Sequence, residues 1–162
     1  MTAETPVCRR ATAPEEIDRC LEIRDIVFIR EQGVAPDLER DGLEGECLHF
    51  LAFVDGKPVA TARVRLLDEV CKFQRVAVLK EVRGKRIGDA LMRYMMTELG
   101  QDDAAGRDYF LSSQASAIPF YEKLGFGICS DEYMEAGIPH RDMRMAAGPA
   151  TVNRASSGSR VA

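Results

Sequence analysis

Apolar residues at Ile17, Cys20, Leu21, Val27 and Phe28 follow the spacing of one helix face. Thr12 and Glu15, with Pro14 between them, have capping-box spacing and place the start of that helix, and Gly33 and Pro36 stop it. The period then changes. CLHFLAFV runs into an Asp55-Gly56 turn and PVATARVRL follows, which predicts a β-hairpin, with KFQRVAVL as a third strand. Ile87, Ala90, Leu91, Tyr94 and Met95 return to helical spacing, so a helix is expected from near Gly88 to Gly100. Tyr109 to Ser112 is a short apolar run. Residues 72–112 therefore read as strand, Gly-containing loop, helix and strand, a βαβ crossover. Ala115 to Leu124 is a short helix closed by Gly125, and the last strands are expected at Gly127 to Tyr133 and Asp142 to Ala146. The fold class is α/β, with a mixed sheet whose first half is antiparallel, flanked by helices.

No repeat and no internal linker interrupts residues 1–147, so they read as one domain. The stretch GPATVNRASSGSRVA from Gly148 has no amphipathic period and reads as a disordered tail over 148–162. At 162 residues, with 46% apolar and 30% charged residues, the composition is that of a globular chain. No apolar run approaches the roughly 18 residues that cross a bilayer, and the polar start lacks a secretory signal, so a cytoplasmic protein with no membrane partner is expected. A net charge of -4 argues against a nucleic-acid partner. Cys8, Cys20, Cys47, Cys71 and Cys129 show no CxxC and no Cys/His pairing, so reduced, packed thiols and no metal site are expected.

The candidate chemistry lies in the loop Val82-Arg83-Gly84-Lys85-Arg86-Ile87-Gly88. It falls where a buried strand turns into a helix N-terminus, whose unpartnered amides and dipole favour an anion. Lys80, Arg83, Lys85, Arg86 and Arg93 face only Glu81 and Asp89 across this region, a local excess of +3 in a net-negative protein. A phosphate ligand fits that field. No GK[ST] and no GxGxxG occurs, so the loop is neither a P-loop nor a dinucleotide fingerprint. Taken alone, an exposed basic turn fits the loop equally well.

The segments FQRVAVL, RGKRIGDALM and QASAIPFYEKLGF together resemble the GCN5-related N-acetyltransferase (GNAT) superfamily, whose pattern is a strand, then [QR]-x-x-G-x-[GA], a helix, and later A-x-x-x-Y with a terminal GF. Arg83 and Gly88 occupy the outer positions of the loop motif, and Arg86 stands where the central glycine usually is. Ala117 and Tyr121 match the later motif, with Gln114 in place of the commoner Asn. RDIVFIREQGV, DLERDGLEGECLHF, VATARVRL and EAGIPHRDM are similar to the ElaA/YjcF-like branch. The resemblance covers residues 14–146 and is densest over 73–126.

It implies an N-acetyltransferase that moves an acetyl group from acetyl-CoA (coenzyme A after transfer) to a primary amine by direct attack, the acceptor being a small molecule or an exposed amino group. The amides of Arg83, Gly84, Lys85, Arg86, Ile87, Gly88 and Asp89 would hold the pyrophosphate. Val76, Ala77 and Val78, on the preceding strand, would supply an N–H to the thioester carbonyl; alternation puts Val76 and Val78 on one face and Ala77 on the other. Gln114, Ala117 and Phe120 join the coenzyme's surroundings, Phe120 also reading as core. Tyr121 is the implied general acid for the departing thiolate, a half-buried structural aromatic being the alternative.

Around the acceptor, the family-like segments bring in Arg24, Glu31, Gln32, His49, Arg75 and His140. Glu31, His49 and His140 are candidate bases, with water as a further one. Arg24 and Arg75 are equally suited to anchoring carboxylates within the fold. Residues 37–46 carry -4, which reads either as a negative wall for a cationic amine or as a solvated loop. Homodimers are common among such proteins. The rival readings are a non-catalytic acyl-CoA-binding sensor and a nucleotide-phosphate enzyme using the same loop.

Overall fold

The computed structural model describes residues 5–101 and 106–146. The expected tail from Gly148 lies outside them. The chain divides into two compact units, Met1–Arg65 with Gln74–Tyr94, and Leu66–Phe73 with Met95 onward.

The first unit opens with a strand that the sequence reading does not anticipate, β1 (Val7–Ala11). Only its Ala11 is buried, and Arg9 and Arg10 lay their guanidinium groups over the rings of Phe53 and Phe50, so an edge strand shows no apolar alternation to read. Helix α1 (Pro14–Arg24) follows. Its cap is formed by Glu16, not Glu15: the Glu16 carboxylate accepts from the amides of Thr12 and Ala13 at 2.9 and 3.0 Å. The expected helix continues past Arg24, but as a π-helix over Asp25–Glu31. A short helix α2 (Pro36–Glu39) and a 3₁₀ turn (Glu44–Glu46) lead to β2 (Cys47–Val54) and β3 (Lys57–Leu66), which pair antiparallel through the Asp55-Gly56 turn. Both turn residues have positive φ, which suits a two-residue hairpin. β1 pairs antiparallel with β2. Cys20, Ile23 and Val27 are buried, the Cys20 thiol facing the Phe50 carbonyl at 3.9 Å, and Tyr94 meets Phe50 edge to face with centroids 6.2 Å apart.

Strand β4 (Val70–Val78) and helix α3 (Ile87–Gln101) each begin in one unit and end in the other. In the second unit the first half of β4 pairs parallel with β5 (Asp108–Gln114), from Val70–Asp108 to Phe73–Leu111. That pairing is the expected βαβ crossover. A 3₁₀ turn (Ala115–Ala117) and α4 (Ile118–Leu124) follow, closed by Gly125 at φ +113°. The strand expected at Gly127 to Tyr133 breaks into β6 (Gly127–Ile128) and β7 (Tyr133–Glu135), and both pair with β8 (Ile138–Met145), as does β5. The Ala136-Gly137 turn, positive in φ at both residues, makes a β7–β8 hairpin in the interval 134–141, where the sequence reading places no strand. Phe73 contacts Tyr109 and Phe126 edge to face in this core. The strands form an open mixed sheet with helices beside it, as expected. Among the described residues no helix is long and apolar enough to cross a membrane, and no group of His, Cys, Asp or Glu is arranged to hold a metal ion.

Candidate active site

In the first unit β4 gives way to a 3₁₀ turn (Lys80–Val82), the basic loop and the start of α3. Ala77 is buried, with Val76 and Val78 half-buried, so the two faces of the strand end differ as alternation requires. Arg75, just before them, takes φ +55°, a conformation that interrupts regular strand geometry. Arg83, Gly84, Lys85 and Arg86 are exposed, whereas Ile87 and Gly88 are buried as α3 begins and Asp89 is half-buried. Two loop residues are left-handed, Gly84 at φ +82° and Arg86 at φ +64°. Arg86, at the motif's central glycine position, thus takes a left-handed conformation of the kind that favours glycine. The Ala90 amide donates to the Arg86 carbonyl at 3.0 Å, so Arg86 opens the helical ladder and the amides of Ile87, Gly88 and Asp89 precede its first bond. This end of α3 fits an anionic group. The Asp89 carboxylate faces Arg93 at 3.0 Å, which offsets a negative charge in the first turn.

Arg83 does more than line the loop. Its Nε donates to the Val78 carbonyl at 2.9 Å, and its two terminal nitrogens grip Glu31 at 2.6 and 2.7 Å. The Arg83 side chain holds the Glu31 carboxyl below its usual range, which makes Glu31 a poor base at neutral pH. Gln32, beside it, caps the π-helix, its backbone N–H donating a hydrogen bond to the Val27 carbonyl at 3.2 Å.

The acidic segment is neither an open negative wall nor a solvated loop: its central carboxylates are taken up by buried arginines. Arg24 is 1% exposed and donates to Glu39 at 2.7 Å and to Glu44 at 2.8 and 3.0 Å. Arg63, also 1% exposed, donates to Asp41 at 3.0 Å, Glu44 at 2.9 Å and Gln74 at 3.1 Å. Arg75 reaches the Glu39 and Asp41 carboxylates at 3.2 and 3.3 Å, and Arg40 pairs with Asp25 at 2.8 Å and with Glu39. Arg24 and Arg75 therefore anchor carboxylates. Hydrogen bonds from Arg63 hold Asp41 well below the usual carboxylate range. Burial alone would raise Glu44, but Arg24 and then Arg63 outweigh it and bring it to about 2. The sequence reading does not single out Arg63. The available signal is an arginine inside the apolar run VATARVRL, a position that demands a charge partner. His49, 4% exposed, lies with Nε2 2.9 Å from the Glu44 carbonyl. Burial pushes it below its ordinary value, so it is neutral at pH 7 and closed in by this cluster.

In the second unit, Tyr121 lies on α4 with its ring buried between Phe120 and Phe126, at centroid distances of 4.9 and 6.0 Å. Phe120 is half-buried against it. Burial pushes the Tyr121 phenol far above its ordinary value, so it keeps its proton throughout the neutral range. Gln114 ends β5 as the cap of the 3₁₀ turn, accepts the Ser113 hydroxyl at 2.8 Å on its carbonyl, and stands opposite His140 in the β5–β8 register; Ala117 ends the turn. The His140 Nδ1 donates to the Ile138 carbonyl at 2.7 Å, a bond that does not involve Nε2. Its ring stacks on Tyr133, whose hydroxyl donates to Asp142 at 2.6 Å. The first unit thus brings together Arg83, Glu31 and the start of α3, with Arg24, Arg75 and His49 in the ion cluster. The second holds Tyr121 beside Phe120 on α4, and Gln114 opposite His140 in the β5–β8 register, with Ala117 ending the turn after β5.

Comparison with known proteins agrees with this geometry. The profile described as "Acetyltransferase (GNAT) domain" matches residues 22–147. The uncharacterized N-acetyltransferase YjcF of Bacillus subtilis is 35% identical over 130 residues, covering 80% of this chain and 91% of that protein. Protein ElaA of Escherichia coli is 32% identical over 127 residues, covering 76% and 82%. Among solved structures, an acyl-CoA N-acyltransferase from Pseudomonas aeruginosa superposes with a TM-score of 0.75 at 29% identity, over 88% of this chain and 99% of that one. A profile match over most of the chain and relatives above 30% identity, joined to the strand, left-handed loop and helix start described above, settle the assignment: the chain belongs to the GNAT acetyltransferase family.

Proposed function

We propose that this protein transfers an acetyl group from acetyl-CoA to a primary amine, on a small molecule or an exposed amino group, by direct attack. The observation that carries the reading is the opening of α3. There a left-handed Gly84 and a left-handed Arg86 turn the chain so that the amides of Ile87, Gly88 and Asp89 stand free of the helical ladder. These amides, with the exposed Lys85 and Arg86, would hold the pyrophosphate. The coenzyme supplies an activated thioester. The strand end Val76–Val78 would offer the thioester carbonyl a backbone N–H, stabilising the charge that develops there. Tyr121, protonated at neutral pH, would return a proton to the departing thiolate. Of the three candidate bases, His140 is favoured: Glu31 is engaged by Arg83 and His49 is closed into the ion cluster, while the His140 ring is held through Nδ1, and Nε2 would take the amine's proton. The Pseudomonas aeruginosa protein, whose name specifies an acyl-CoA donor, supports the same donor here.

The test is thiol release from acetyl-CoA over a panel of primary amines, with a calorimetric titration of coenzyme A alongside. Amine-dependent release is expected. Tight coenzyme binding without release for any amine would favour a sensor instead, and the absence of binding would exclude both.

A further inference from the structure

We infer that Glu31 is a positioning residue for the coenzyme: through Arg83 it braces the pyrophosphate loop, and it touches no ligand itself. The inference rests on the functional reading above. One guanidinium group ties together three pieces of chain. Arg83 belongs to the loop, and its own amide donates back to the Lys80 carbonyl at 3.2 Å. Its Nε fastens to the carbonyl of Val78, the last residue of β4. Its terminal nitrogens make a bidentate pair with Glu31, the last residue of the π-helix. That helix is rooted by the buried Val27, whose carbonyl also takes the Gln32 amide, so Glu31 is presented from a fixed base. Gly84, Lys85 and Arg86 are exposed, and two of them are left-handed.

Two effects of removing the Glu31 charge oppose each other. A point-charge argument makes the loop more positive and coenzyme binding tighter. A positioning argument frees the loop, so that its backbone must be ordered when the ligand arrives, and binding weakens. At this exposed site water and salt screen the lost charge, whereas the ordering penalty falls on several residues. Positioning wins, and the sign of the effect decides between the two.

The experiment compares wild-type protein with Glu31→Gln, Glu31→Asp and Arg83→Gln, using coenzyme A calorimetry, steady-state kinetics for acetyl-CoA and thermal unfolding. Glu31→Gln should raise the coenzyme A Kd and the acetyl-CoA KM by about fivefold, the range of a well-formed exposed pair. Its kcat should stay within about twofold, and its Tm should fall by no more than roughly 2–4 °C, the share of one such pair. Glu31→Asp should fall between, and in the Arg83→Gln background Glu31→Gln should add nothing. Unchanged or tighter coenzyme binding in Glu31→Gln, or an equal further loss in the Arg83→Gln background, would overturn the inference while leaving the acetyltransferase reading intact. A wild-type protein that ignored coenzyme A would sink both.

Discussion

Arg86 holds a backbone conformation that its own side chain disfavours. At φ +64° a non-glycine residue carries a penalty on the order of 1 kcal/mol, tolerable because a single residue bears it. The comparison of variants at this position is informative. Arg86→Gly relieves the strain but adds unfolded-chain freedom worth roughly 0.5–1 kcal/mol, so urea unfolding should place it within about 0.5 kcal/mol of wild type. Arg86→Val puts a β-branched side chain on the same backbone and should destabilise by about 1–2 kcal/mol; if it did not, the residue would not be left-handed. Residue identity alone shows an arginine where the family carries glycine and suggests a lost turn. It does not show that Gly84 and the start of α3 impose the turn anyway. Tyr121 was more legible, because FYEKLGF places it on a short helix before a glycine stop. What the sequence could not supply is its ring burial between Phe120 and Phe126, which raises the phenol further above its ordinary value. Tyr121→Phe should lower the rate of thiol release by roughly 10²–10⁴-fold, with coenzyme A affinity unchanged by calorimetry. An unaltered rate would remove Tyr121 from the mechanism.

Between α2 and β2, the acidic segment behaves as part of the core's polar lining. Its charge was visible in the sequence, but its partners Arg24, Arg63 and Arg75 lie on α1, β3 and β4, beyond any local window. The edge strand β1 escaped notice for a related reason, since pairing with β2 defines it more than its own pattern does. The ion cluster has a pH signature. Glu44 has a folded-state value of about 2 against an ordinary 4.5, so the unfolded chain binds its proton first. The stability Glu44 contributes is therefore present above about pH 4.5 and lost as the pH falls toward 2, and Asp41, also lowered, acts in the same direction. His49 is lowered too, so acid favours the unfolded chain from about pH 6.5 downward. Urea unfolding midpoints should decline gently below pH 6.5 and steeply below 4.5. Glu44→Gln should destabilise by about 3 kcal/mol at pH 7, because Arg24 and Arg63 lose a buried partner, and should flatten the steep limb. A steep limb of unchanged size in that variant would place the acid transition elsewhere.

At the scale of the whole molecule, the order of strands and helices was readable because each element after residue 46 has one dominant period, from the hairpin to the βαβ crossover. Its interruptions were not: Arg75 within β4 and the Ala136-Gly137 turn are backbone choices that hydrophobicity does not record. The charge distribution was readable as well, and it yields a test of ligand class. The protein is net -4, yet around α3's start Glu31 and Asp89 are paired with Arg83 and Arg93, and the side chains of Lys80, Lys85 and Arg86 are exposed. A ligand that binds only the folded chain stabilises it by about 2.7 kcal/mol at one hundred times its Kd. For a chain of this size that should raise the Tm by roughly 5–10 °C. Coenzyme A should produce this shift. ATP at the same concentration offers phosphates to the loop but no pantetheine arm, and should produce a clearly smaller one. Raising the salt from about 50 to 200 mM should reduce both shifts, as screening shortens the reach of the basic patch. An ATP shift equal to that of coenzyme A would make the loop a general nucleotide-phosphate site. A salt-independent coenzyme A shift would locate the binding energy away from the loop and in contacts to the rest of the ligand.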